Sequence, residues 1–259
     1  MSKTILYSTF VLMLSVIYLA TVEAADKTLI LHLPFDEGSG KKAADKSSYG
    51  HHAELIANYK WVPGKFGKAV EIANKQSADN IKTKEANTLK IEGEITKMAW
   101  VKVTKWTGNL MTVIGKNNHN GGEHSSYGFG LTGQGAGIQA FFGTGKSRPT
   151  LNKAVKLEAG KWMHVAASYD GVAMKGYIDG KLAAEQKEKF SFKGINDAPV
   201  RIGCAKDRAR YHFHGAIDEV VIYSRALNEK EIQGVMKGSL LAPVTPKEKL
   251  SLTWGKIKN

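Results

Sequence analysis

Apolar and polar positions alternate most clearly from Lys161 to Gln186, KWMHVAASYDGVAMKGYIDGKLAAEQ. Two Asp-Gly pairs, Asp170-Gly171 and Asp179-Gly180, interrupt the alternation. Asp-Gly between apolar runs signals a hairpin, because a type I′ turn needs positive φ at both central residues. Two such turns in succession predict three antiparallel strands, roughly 162–169, 172–178 and 181–187. In the first, Met163, Val165, Ala167 and Tyr169 share one face, and Trp162, His164, Ala166 and Ser168 share the other. Both faces carry bulk, so the meander is expected between two layers. A two-layer, all-β domain is the architecture this pattern predicts.

The rest of the chain repeats the same grammar. Apolar runs at 28–35, 53–56, 69–72, 94–103, 111–114, 127–131, 138–142, 200–203 and 213–223 read as strands. Turn clusters separate them: Asp36 to Gly40, Asp45 to Gly50, Pro63 to Gly67, and residues 133–137. Residues 116–127, KNNHNGGEHSSY, read as an exposed loop, and 206–210, KDRAR, as a charged one. Within 94–103, Ile95, Met98 and Trp100 do not fall on one face. Asn228-Glu229-Lys230-Glu231 has the spacing of a capping box and predicts one short helix ending near Lys237.

Composition refines this picture. Glycine, at 27 residues against 6 prolines, suits many tight turns. Residues 1–24 read as a secretory signal: Lys3, an uncharged apolar run over 5–20, and Val22-Glu23-Ala24 as the cleavage site. An uncleaved anchor is the alternative, but the run is short for a span of about 20 apolar residues. No membrane span is expected once the signal is removed. The formal charge is +13, and Lys3 and Glu23 cancel within the signal. Such a balance suits anionic partners, or a diffusely solvated lysine surface. The lysines are scattered rather than clustered, so nucleic acid is not expected as a partner. Cys204 is the single cysteine, which excludes an intrachain disulfide and leaves the core, or a bound metal, to hold the fold. It follows a strand-like run and reads as a small buried hydrophobe.

Four stretches together resemble a known family. They are Leu33–Gly40 (LPFDEGSG) with Asp45–His51 (DKSSYGH), Pro63–Val70 (PGKFGKAV), Gly160–Gly180, and Gly215–Ile232 (GAIDEVVIYSRALNEKEI). In order and spacing they resemble the laminin-G-like, concanavalin-A-like jelly-roll domains of bacterial secreted proteins, over nearly all of residues 28–236. The resemblance implies an all-β, two-sheet antiparallel jelly-roll sandwich with one short C-terminal helix. The periodicity alone leaves the kind of sandwich open. The organisation expected is a signal at 1–24, one domain at 25–237 and an extended tail at 238–259.

The resemblance also implies that the first and last strands pair, with a structural calcium near them. Asp36, Asp45 and Asp218 are the candidate ligands, since hard cations want carboxylate and carbonyl oxygens. For Asp218, inside a strand, the alternatives are a hydrogen bond or a salt bridge, because a bare buried carboxylate is costly. His212 and His214 share a strand face, but zinc needs further ligands; His119 and His124 reach it only through the fold. These four read otherwise as loop and surface histidines. His164 stands where similar domains also have histidine, which implies packing.

Catalytic patterns are missing. The hydrolases of the resembling fold share a Glu-x-Asp-x-x-Glu strand, and the chain has none. Asp218 and Glu219 are adjacent, so they point to opposite faces and make no pair. There is no Gly-x-Ser-x-Gly elbow and no His-Glu-x-x-His helix. Sugar sites commonly combine aromatic platforms with a few polar groups. Trp61, Trp106, Tyr127 and Tyr211 are the candidate platforms, and Arg148, Arg208 and Arg210 the candidate partners of sulfate or carboxylate. Each can equally close the core or be solvated. The sequence thus points to a secreted, periplasmic or cell-surface module that binds carbohydrate, including anionic polysaccharide, without catalysis. A structural or adhesive domain with an extracellular protein partner is the alternative, and a glycan-cleaving enzyme the third.

Overall fold

The computed structural model describes residues 26–72, 80–117, 125–205 and 211–238. The signal expected at 1–24, His119, His124, Arg208, Arg210 and the tail beyond Gly238 lie outside the described residues. In chain order the strands are β1 (Leu29–Leu33), β2 (Lys42–Ala43), β3 (Ala53–Leu55), β4 (Tyr59–Pro63), β5 (Lys68–Ile72), β6 (Ile81–Thr83), β7 (Ile95–Val103) and β8 (Met111–Asn117). They continue as β9 (Ser125–Thr132), β10 (Gly137–Phe142), β11 (Thr150–Ala154), β12 (Trp162–Tyr169), β13 (Ala173–Ile178), β14 (Lys181–Lys187), β15 (Arg201–Ile202) and β16 (Gly215–Tyr223). One α-helix follows, α1 (Glu229–Met236).

Two antiparallel sheets result. The first runs β14-β13-β12-β7-β16-β5-β4, with β1 also paired to β16; the second runs β11-β10-β9-β8-β15-β6-β3-β2. The first and last strands therefore pair, Leu33 opposite Val220 and Leu31 opposite Ile222. No helix among the described residues is long and apolar enough to cross a membrane.

The meander forms as the alternation predicts, with one change of turn. Asp179 and Gly180 both have positive φ, 49° and 72°, as a type I′ hairpin requires. At the other turn only Gly171 does. There Asp170 Oδ1 instead accepts the N–H groups of Val172 and Ala173, at 3.0 and 2.7 Å. The carboxylate lengthens the loop by one residue, so β13 starts at Ala173 rather than at 172.

Met163, Val165, Ala167 and Tyr169 face the inter-sheet core, in one cluster with Ile114, Phe129, Ile138 and Phe142 of the second sheet. Burial of each large side chain contributes about 1.5–3 kcal/mol. The opposite face of the first sheet is covered too: Met98, Ala166, Tyr177, Val221 and Tyr223 pack under Leu227, Ile232 and Val235. This second cluster explains why β7 has no clean alternation. Ile95, Ala99, Val101 and Val103 point into the main core while Met98 and Trp100 point toward α1. Lys97 completes the confusion: it is fully buried in the sandwich, with Nζ 3.9 Å from the centre of the Phe142 ring. Burial pushes its pKa well down.

Four short strands, β2, β4, β6 and β11, escape sequence reading because each is brief and carries a lysine that interrupts its apolar pattern. His212 is not the surface histidine expected. It is buried at 1 % exposure, and its Nδ1 lies 3.1 Å from the Asn80 amide nitrogen.

Candidate basic groove at the end of the second sheet

The 45–52 loop is built around one carboxylate. Asp45 Oδ1 accepts the His32 and Ser47 N–H groups at 2.8 and 2.9 Å. Its Oδ2 accepts the Ser47 hydroxyl at 2.6 Å and the His51 N–H at 2.7 Å. Four charge-assisted bonds leave this buried side chain satisfied and fix the path of the loop. In return the Asp45 N–H donates to His52 Nδ1 at 3.0 Å. Neutral His52 therefore carries its ring proton on Nε2. The His51 ring stacks on Tyr49, with centroids 5.8 Å apart, and its Nε2 lies 2.7 Å from Thr88 Oγ1. Burial lowers the pKa of His51, opposed by Asp45 and assisted by His52.

This loop forms one wall of an open groove of about 720 Å³. Lys41, Lys42, Glu54, Lys82, Lys84 and Glu85 line it together with His51 and His52. The ladder explains the charge. Lys42 stands opposite Glu54, Glu54 opposite Lys82, and Lys82 opposite Arg201, so one outward row crosses four strands. The inward neighbours Ala43, Ala53 and Thr83 are buried. Four lysines face two glutamates in the lining. Glu85 is further tied to Lys90 at 3.5 Å. The groove thus offers ammonium groups and an imidazole N–H to a ligand rich in oxygen.

The expected calcium ligands do not converge on a cation. Asp218 is fully buried, but its Oδ2 accepts the Lys65 and Phe66 N–H groups at 2.8 and 3.1 Å, and its Oδ1 the Glu219 N–H at 2.8 Å. Asp36 Oδ1 accepts the Lys68 N–H at 2.9 Å. Asp36 and Asp218 thus pin the Pro63–Gly67 turn from two sides, and Asp45 pins its own loop. Backbone N–H groups thus engage a carboxylate oxygen of each of the three, and Asp45 holds a different loop from the one that Asp36 and Asp218 hold. Among the described residues, no group of three or more His, Cys, Asp or Glu side chains is placed to hold a metal.

The expected platforms also fall elsewhere. Tyr127 is fully buried, donating to the Leu89 carbonyl at 3.0 Å, so it is a core residue and not a platform. Trp61 packs half-buried on the core and donates to the Gly40 carbonyl at 3.1 Å. Trp106 also packs on the core and lies close over Gly135. Arg148 is exposed, its guanidinium 5.1 Å from the Phe141 ring centre. Tyr211 is partly exposed. None of these lines the groove. Its lysines and histidines were missed because residues 41–42, 51–54 and 82–85 meet only through strand pairing. Gly50-His51-His52 was the one local signal, a polar-aromatic pair directly after a turn.

The family model of the concanavalin A-like lectin/glucanases superfamily, Laminin_G_3, matches residues 75–233, more than half of the chain. A stretch of 101 residues is 27 % identical to mouse (Mus musculus) pappalysin-1, covering 38 % of this chain and 6 % of that protein. Among solved structures, the binding domain of paraclostridial mosquitocidal protein 1 superposes with a TM-score of 0.65 at 15 % identity. That match covers 82 % of this chain and 52 % of the other. Domain 4 of AbnA, an extracellular arabinanase from Geobacillus stearothermophilus solved with arabinotriose, gives 0.63 at 21 % identity, covering 82 % and 98 %. The ligand binding domain of botulinum neurotoxin serotype D with N-acetylneuraminic acid gives 0.63 at 19 %, covering 83 % and 52 %. The chain spans about half of the toxin domains it resembles and a small part of pappalysin-1. The two-sheet sandwich and the family match agree: the chain belongs to the laminin-G branch of the concanavalin A-like lectin/glucanases superfamily.

Proposed function

We propose that the chain is a secreted or cell-surface, non-catalytic module that binds carbohydrate bearing acidic groups in the groove between the 45–52 loop and β6. The observation that carries this reading is the lining itself: four lysines and the outward Nε2–H of His52 around one open groove of about 720 Å³. Lysine ammonium groups act as point charges toward carboxylate or sulfate, and the open shape suits a polymer lying across strands. Support comes also from the similar AbnA domain and toxin domain, whose structures hold arabinotriose and N-acetylneuraminic acid.

A non-catalytic role fits the carboxylates. Glycoside hydrolysis needs an acid that stays protonated near a second carboxylate. Asp218 has a pKa pushed up to about 7 by burial, yet both its oxygens are filled by backbone N–H groups and it lies on the other sheet. Calcium at Asp36, Asp45 and Asp218 has no part in this reading.

The test is calorimetric titration of residues 25–259 with neutral, uronic and sulfated oligosaccharides at low and high salt. Saturable binding of the anionic sugars, weakened by salt, is expected. Lys42→Ala with Lys82→Ala lowers that affinity about a hundredfold, since each lost charged contact removes about 1.5 kcal/mol. No sugar binding by the folded protein, or full binding by the double variant, overturns the reading.

A further inference from the structure

A second, smaller cavity lies on the outer face of the first sheet, away from the basic groove. β12, β7, β16 and β1 are neighbours there. His164 stands opposite Trp100, Trp100 opposite Asp218, and Val221 opposite His32. β16 bulges between Asp218 and Val221. At the bulge Glu219 takes a left-handed conformation, φ 49°, which a non-glycine residue adopts at a cost of about 1–3 kcal/mol. That conformation turns its carboxylate toward His32, and His32 Nε2 meets Glu219 Oε2 at 2.6 Å, so the bulge overrides the strict alternation that would set Asp218 and Glu219 on opposite faces. The end of α1 roofs the site, held by the Trp100 indole N–H on the Met236 carbonyl at 3.2 Å. Beneath this roof is a cavity of about 110 Å³, lined by His32, Trp100, His164, Glu219, Val221 and Val235 among others.

Two residues of this lining each carry a buried ring nitrogen that is left over. His32 and His164 are 8 % and 2 % exposed, and neither Nδ1 has a protein hydrogen-bond partner. A buried nitrogen without a partner costs about 1–3 kcal/mol, so the cavity selects an occupant that supplies hydrogen bonds. The chemistry of that occupant can be read from the ring states. Glu219 only accepts, so His32 donates from Nε2 and, when neutral, presents a lone pair at Nδ1. Burial keeps His164 neutral, lowering its pKa to about 4. An anion would meet a lone pair and the Glu219 carboxylate. A cation would meet Lys65, whose Nζ sits 4.3 Å from the Trp100 ring centre. A single metal ion would need both rings to converge. They stand three strands apart, about 14 Å at the backbone at the usual strand spacing. A neutral hydroxyl both donates and accepts, and satisfies either ring.

We propose that this cavity binds a small neutral polyol, or the hydroxyl edge of a sugar residue, with hydroxyl groups on His32 Nδ1 and His164 Nδ1 and its carbon edge against Trp100, Val221 and Val235. The volume matches: it equals about four water molecules at about 30 Å³ each, the size of a three-carbon triol. Access is from the Glu219 side, whose side chain is 21 % exposed against 10 % for His32. The site is independent of the basic groove and survives the failure of that reading.

The experiment is a titration of the full chain with glycerol and, separately, with a neutral methyl glycoside, read by the ring-nitrogen signals of its histidines. Saturable shifts of both Nδ1 signals are expected. Saturation by glycerol identifies a free polyol, and saturation by the glycoside alone identifies a terminal sugar. Val235→Phe fills the cavity and abolishes the shifts. If the first variant does not fold, His164→Phe, which keeps a ring but removes its nitrogen, serves instead and weakens the His32 response at least tenfold. Signals that stay still with both probes mean buried water only, and overturn the proposal. So does an unchanged response in the folded variants.

Discussion

Asp218 concentrates the electrostatics of the molecule in one side chain. It is fully buried, and burial together with the neighbouring Glu219 raises its pKa to about 7 against the pull of the three backbone N–H groups it accepts. A raised carboxyl pKa means that the folded state binds a proton the unfolded chain has already lost. The stability this proton provides is complete below pH 4 and disappears as pH rises through 7. The span from 3.8 to about 7 corresponds to up to about 4 kcal/mol. His164 works in the opposite sense: its lowered pKa costs stability as pH falls through 6.5. The quantity to measure is therefore the difference between wild type and Asp218→Asn in urea unfolding from pH 4 to 8. Wild type should lose stability relative to the variant by a few kcal/mol across that range. Parallel pH profiles would remove the raised pKa from the account. The need for a partner at Asp218 was legible in the sequence, because a carboxylate inside an apolar strand must be satisfied. The partner itself was not: Lys65 and Phe66 stand more than 150 residues away in the chain, and donate with backbone groups that every residue has.

At the scale of the element, α1 was legible down to its cap. The Asn228 side chain accepts the Glu231 N–H at 3.0 Å, and the Glu231 carboxylate accepts the Asn228 N–H at 2.8 Å. Glu231 also holds Arg225 at 2.7 Å, joining the cap to the segment leaving β16. Eight residues are too few for a helix to stand alone, so α1 exists through this cap and through Ile232 and Val235 on the outer cluster. Asn228→Ala should cost about 1 kcal/mol, a fall in melting temperature of about 2–4 °C for a domain of this size. Glu231→Gln, which keeps the reciprocal hydrogen bond but loses the Arg225 charge, should cost less. Equal losses from both would mean that the ion pair contributes as much as the cap. The meander was legible for the same reason as the helix: its turns and alternation are local. The Asp170 turn differed because a side chain accepted the N–H groups that a type I′ turn leaves to the backbone.

For the whole molecule, local pattern no longer suffices. β16 is gripped by β1, β5 and β7, and the bond from His32 to Glu219 spans 187 positions. Alternation says that such strands need partners but not which ones, and here the resemblance to known jelly rolls supplied the pairing. The groove shares this origin, since its charges come from three strands whose order only the sheet defines. The same topology must hold the protein without an intrachain disulfide, and Cys204 reports on it. Its side chain is fully buried, just after β15, which lies between β8 and β6 in the second sheet. If the two sheets part only in global unfolding, a thiol reagent reaches Cys204 at the population of the unfolded state. For a stability near 5 kcal/mol this is at least a thousandfold slower than in the denatured chain, by about 1.4 kcal/mol per tenfold. Labelling should reach one thiol per chain, with a denaturant midpoint matching that of tryptophan fluorescence. Dithiothreitol should leave the melting temperature unchanged. Labelling that runs ahead of the fluorescence change would instead mean that β15 opens by itself, and that the two sheets are joined less tightly on the groove side than their shared core implies.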